Sequence, residues 1–79
     1  NKANGEFDVV THDPHGYVFY EAKFRGTPVT QEMIDEEIEQ VRSTGLDCYA
    51  YAFFSRSGFD GNIEASGQLR LFSIEELYR

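Results

Sequence analysis

Several things are scarce in this 79-residue sequence, and each scarcity narrows what the chain can be. No apolar run approaches the ~20 residues that a membrane-spanning helix needs, and no charged-then-apolar N-terminal segment suggests secretion. The single cysteine, Cys48, cannot close an intramolecular disulfide or build a cysteine-rich zinc site, which fits a reducing cytoplasm. Internal repeats and low-complexity tracts are missing, so the chain reads as one unit. Bases are few: seven Lys and Arg stand against fourteen Asp and Glu, a formal charge of −7. A surface of that sign repels phosphate and disfavours a generic polyanion binder. Apolar side chains, by contrast, are plentiful. A 41% hydrophobic content with seven Phe and five Tyr is too rich for a disordered chain, so a packed core is expected. The length suits one small domain, or part of one, near the lower limit of an independent core.

Local patterns predict the elements. Residues 6–12 mix β-branched and aromatic side chains with partial alternation and read as a strand. Asp13-Pro14-His15-Gly16 has the residue preferences of a type I turn. Residues 17–25 form a second strand, with Val18, Tyr20, Ala22 and Phe24 on one face and Tyr17, Phe19, Glu21, Lys23 and Arg25 on the other. Gly26-Thr27-Pro28 breaks it, and Thr30 can N-cap a helix over 31–44. Met33, Ile34, Ile38 and Val41 make that helix's apolar stripe, with Asp35, Glu36, Glu37 and Glu39 mainly elsewhere, and Gly45 suits a left-handed cap. The nearly continuous apolar run 47–54 predicts a central strand covered on both faces. A loop over 57–67 leads to a short strand at 69–72, and Ser73-Ile74-Glu75-Glu76 reads as a capping box opening a terminal helical turn. The expected class is α/β (α+β in the looser sense), a mixed sheet of about four strands with packed helices.

The turn fixes a register with chemical consequences. If residues 13–16 are the whole loop, His12 faces Tyr17, which sets Asp8 opposite Glu21 and Glu6 opposite Lys23. Opposed residues share a face with Cβ atoms about 4.5–5.5 Å apart. Two carboxylates so placed repel, and partial burial worsens it. Solvation, protonation of one partner, or a bound cation relieves the conflict. Asp8 and Glu21 with water suit Mg²⁺, and Lys23 alongside can orient a metal-bound water or stabilise charge building on a phosphate oxygen. The alternative is a wet sheet edge on which Lys23 bridges two ordinary acids.

Asp8 followed thirteen residues later by Glu21-Ala22-Lys23, on consecutive strands ahead of a helix, resembles the PD-(D/E)xK nuclease superfamily. The resemblance covers roughly residues 5–55. It implies a restriction-endonuclease-like core lacking its first helix and strand, with Asp8 and Glu21 as metal ligands and Asp8, Glu21 and Lys23 as the catalytic set. Phe7 stands where the name-giving Pro would be. Phe19-Tyr20-Glu21-Ala22-Lys23-Phe24, then Pro28 and the strand ending Phe53-Phe54-Ser55, is similar to the nuclease-like C-terminal domain of prokaryotic AAA-type ATPases. That likeness implies a cytoplasmic protein with an ATPase domain preceding this segment in cis, and DNA as substrate. No phosphate-binding G-x-x-x-x-G-K-[ST] motif lies within these residues. A sheet lacking its first elements exposes an edge, so a homodimer is a further expectation. The competing reading is a catalytically silent protein-interaction module with the same fold, contacting its partner through the acidic helix.

Other residues receive plainer readings. His12 would share the Asp8 face, but a solvated turn histidine is favoured over a zinc ligand, for His15 as well. The acids from Glu32 to Glu39 read as a solvent face rather than a docking surface. Tyr49, Tyr51, Phe53 and Phe54 read as core rather than a base-stacking platform, and Cys48 as a structural thiol. Gln40 lies in the helix where some members of the superfamily place a polar site residue. Arg25, Arg42, Arg56 and Arg70 are scattered. Residues 31–42 hold five acids and Arg42, a net −4, which leaves −3 for the other sixty-seven. More than half of the negative charge thus sits on one helix. DNA, if bound, needs the metal and basic surface from outside this segment.

Overall fold

A computed structural model describes residues 7–74. The local chemistry of Asp13-Pro14-His15-Gly16 forms the hairpin between β1 (Phe7–Asp13) and β2 (Gly16–Lys23). The Asp13 carboxylate accepts from the His15 N–H at 2.8 Å and from the Tyr49 hydroxyl at 2.6 Å, which ties the turn to a strand distant in sequence. These two donors hold the Asp13 carboxyl below its ordinary range, with the Tyr49 hydroxyl the larger influence. Gly16 takes φ +129°, a left-handed value that favours glycine there. The turn closes one pair tighter than expected, because Asp13 itself pairs with Gly16. The register is as expected: His12 faces Tyr17 and Asp8 faces Glu21. The expected Glu6–Lys23 pair lies outside the described residues.

β2 ends at Lys23 rather than Arg25. The following segment turns to carry Val29 into a parallel bridge with Phe59, where Val29 N–H bonds the Gly58 carbonyl and Asp60 N–H bonds the Val29 carbonyl, each at 2.9 Å. That anchor delivers Thr30 to the start of α1 (Gln31–Ser43), where its side chain accepts from Met33 N–H at 3.2 Å. Gly45, at φ +82°, donates to the Arg42 carbonyl past the helix C-terminus. The chain then enters β3 (Cys48–Ser55) and, after a loop, β4 (Leu69–Ser73).

The four strands form one sheet in the order β1-β2-β3-β4, antiparallel between β1 and β2 and parallel in the other two pairings. The result is a small α+β fold with one mixed sheet and one described helix. The terminal helical turn expected at 73–76 runs beyond the described residues. Phe19, Tyr51 and Phe53 of the sheet pack with Ile34 and Val41 of α1 and with Val29. β3 is central, as its apolar run predicts, but its aromatics divide. Tyr51 and Phe53 enter the core, whereas Phe54 points to the opposite face and stacks on the exposed Phe72 at 4.9 Å. Tyr49 stays half-buried beside the turn. The strand period of two requires this split, because adjacent residues cannot share a face.

Phe53 is fully buried at the centre of this packing. Phe53→Ala should lower the unfolding free energy by about 3–5 kcal/mol through lost burial and the cavity left behind. Thr30→Ala should cost about 1 kcal/mol as the helix loses its cap. Urea denaturation of the two variants checks both values, and equal losses would contradict this placement of the core.

Candidate functional site

The sheet period that divides the aromatics also sends Glu21 and Lys23, two residues apart on β2, to the same face as Phe19. That face is roofed by α1, so two ionisable groups lie inside a mostly apolar layer. Glu21 is 0% exposed and Lys23 4%. They meet directly, the Lys23 ammonium donating to Glu21 Oε2 at 2.8 Å. From the roof, Glu37 of α1 brings a second carboxylate, with its Oε2 3.9 Å from Lys23 Nζ. Glu37 is 9% exposed. The solvent-face reading of the acidic run is therefore corrected at this residue: Glu32, Asp35, Glu36 and Glu39 are exposed, and Glu37 turns inward. Helical spacing carries the signal, because Glu37 follows Ile34 by three and precedes Val41 by four, within the buried stripe.

The electrostatics follow from burial. Loss of water raises the Glu21 pKa above its ordinary 4.5, and a hydrogen bond to the Glu37 carboxyl with like-charge repulsion adds to the rise; Lys23 pulls the other way without overcoming it.

Asp8 completes the arrangement from the neighbouring strand. It lies opposite Glu21, is exposed, and opens onto a cleft of about 240 Å³ between β1 and α1. Val10, Phe19, Glu37, Gln40 and Val41 also line this cleft. All three residues expected in the site, Asp8, Glu21 and Lys23, are therefore on one face. Sequence reasoning missed Glu37, and Gln40 lies one helical turn beyond it in the same wall. His12 is exposed and stacks on Tyr17 at 4.2 Å, while His15 sits edge-on to Tyr49. Burial, with Asp47 adding to it, raises the pKa of the half-buried Cys48 thiol, as expected of a structural residue. None of the described arginines lines the cleft.

Among the described residues, no three His, Cys, Asp or Glu side chains form a ready-made metal cage. Asp8 and Glu37 bring carboxylates to the cleft, with Glu21 buried opposite Asp8, and Mg²⁺ binds through one or two carboxylates while keeping several waters. The raised Glu21 pKa also marks a carboxylate whose ionised form a cation would stabilise.

The class defined by fold and site is a small α+β domain with a buried carboxylate–lysine cluster beside a cleft. Comparison with protein-family models, with curated proteins and with solved structures gives no match. Among the described residues no helix is long and apolar enough to cross a membrane.

A pH dependence follows from Glu21. A carboxyl with a raised folded-state pKa contributes stability that is full below its ordinary 4.5 and is lost as pH rises through the raised value. In metal-free buffer, urea denaturation between pH 4.5 and 8 should show the wild type losing stability relative to Glu21→Gln as pH rises. Parallel profiles, or a wild-type gain, would contradict the assignment.

Proposed function

We propose that this chain is a nuclease-like domain that hydrolyses DNA phosphodiester bonds with Mg²⁺ held by Asp8 and Glu21. One observation carries the reading. The hairpin register sets Asp8, which lines the cleft, opposite the fully buried Glu21, with the Lys23 ammonium 2.8 Å from the Glu21 carboxylate. A cation held there would supply Lewis acidity and lower the pKa of a bound water. The chain's own groups have separate tasks. Asp8, exposed at the cleft, and the buried Glu21 opposite it would hold the cation. Lys23 presents positive charge where a phosphate oxygen gains negative charge in the transition state, or orients the attacking water. The apolar roof of α1 limits water around these groups and strengthens each electrostatic contact.

Substrate recruitment must come from elsewhere. The chain carries −7, and none of the described arginines lines the cleft, so nucleic acid gains little from this surface alone. A preceding ATPase domain in cis, in a cytoplasmic protein, would supply the missing basic surface. This proposal joins the carboxylate–lysine cluster to the resemblance drawn from the sequence.

Calorimetric titration of Mg²⁺ and Mn²⁺ tests the site. Saturable binding is expected for the wild type, and Glu21→Gln should weaken it at least tenfold, as expected when a charged first ligand is replaced by a neutral one. Supercoiled plasmid should be nicked by the wild type in Mg²⁺ and not by Lys23→Ala. Absence of metal binding by the wild type would overturn the proposal in favour of a silent interaction module. Metal binding with equal nicking by Lys23→Ala would remove the lysine from the chemistry.

A further inference from the structure

β1 lies at one end of the strand order, so among the described residues no strand pairs with its outer edge. Its seven residues pair with β2 without a bulge and include no Lys and no Pro, the features that commonly keep sheet edges apart. Residues 8–13 are exposed, Val9 by 46% and Val10 by 44%. Adjacent residues of a strand point to opposite faces, so a partner laid on either face of the sheet covers only one of these valines. A strand added along the edge flanks both. The opposite edge is less available, because the Leu69 carbonyl of β4 already accepts from the Ser66 N–H at 2.8 Å. We infer that the β1 edge is a self-association surface. Two copies of this chain join antiparallel, β1 to β1, in the register that sets Val10 against Val10, and their sheets become one continuous sheet. The inference does not depend on the metal reading above.

Length and charge select both the occupant and the register. Val10 is the midpoint of Phe7–Asp13, and pairing centred there uses all seven residues of each copy. It sets Asp8 opposite His12 of the second copy, on the same face, and Val9 opposite the second copy's Thr11. An acid thus faces an imidazole at two symmetric places, whereas pairing centred on Asp8 would oppose two carboxylates. The chain's charge of −7 works against association, but residues 31–42 hold −4 of it, on the helix packed over β2 and β3. In the joined sheet the two helices lie four strand spacings apart, about 19 Å. That exceeds a helix diameter of about 10–12 Å, so they do not collide. It also exceeds the Debye length of about 8 Å at physiological salt, so their repulsion is largely screened. Pairing β1 with β4 of a next copy would propagate without closing, while the two-fold arrangement closes as a dimer.

Sedimentation equilibrium of the full chain in metal-free buffer should show dimers, with no bearing on the metal reading. Val10→Lys, which brings two ammonium groups together at the axis, should raise the dimer dissociation constant at least about tenfold. A wild type that stays monomeric up to ~1 mM, or Val10→Lys dimerising like the wild type, would overturn the inference. Cysteine pairing keeps the register testable even if Val10→Lys fails to fold. In Val10→Cys the two new thiols meet with Cα atoms about 4.5–5.5 Å apart, within disulfide reach. In Val9→Cys they are offset by two residues along the strands, to about 8 Å, beyond that reach. Mild oxidation should therefore cross-link Val10→Cys, and leave Val9→Cys and the wild type, which carries Cys48 alone, without a cross-link. No cross-link in Val10→Cys, or one formed as readily in Val9→Cys, would contradict this pairing.

Discussion

A lysine and two carboxylates share the layer between sheet and helix, and this group of charges constrains the rest of the structure. Glu21 and Lys23 have almost no contact with solvent, and Glu37 has little. Charges so placed need one another, since removing one partner from a buried pair typically costs about 3–5 kcal/mol. Replacing such a pair with apolar residues is often neutral or stabilising, so packing alone gives no reason to keep it. The proposed cation site would give one.

The fold supplies the group from two elements by simple rules. The strand period sends Glu21 and Lys23 inward together, and the helical period adds Glu37 from above. The Val29 bridge and the Thr30 cap fix where α1 begins and therefore which turn of the helix stands over Lys23. The parallel connection from β2 through α1 to β3 places the group toward the carboxyl end of β2. Open α/β sheets commonly bind ligands at that end of their strands. The Asp13–Tyr49 bond holds the other end of the sheet, far from the charges along β1 and β2.

Much of this was legible in the sequence because short-range rules decide it. The turn residues 13–16 fixed the register, and with it the opposition of Asp8 and Glu21. Thr30 and Gly45 marked the helix ends through capping chemistry. What escaped were relations that depend on which side of the sheet the helix covers. Composition groups Glu37 with its acidic neighbours, although its spacing from Ile34 and Val41 places it in the buried stripe. The expected Glu6 partner of Lys23 lies outside the described residues, and the ion pairs described are with Glu21 on its own strand and Glu37 on the helix. A continuous apolar run hides alternation and makes Phe54 read as core, yet it faces away and stacks on Phe72. The parallel pairing of β4 with β3 is likewise set by tertiary packing, on which local sequence bears little.

The central claim is that the cluster exists to hold a cation at the cleft. Anomalous diffraction from crystals grown with Mn²⁺ tests it most directly. The account predicts one strong anomalous peak bound by carboxylate oxygens of Asp8 and Glu21. A peak elsewhere, or none at saturating Mn²⁺ with the Lys23–Glu21 pair intact, would contradict it.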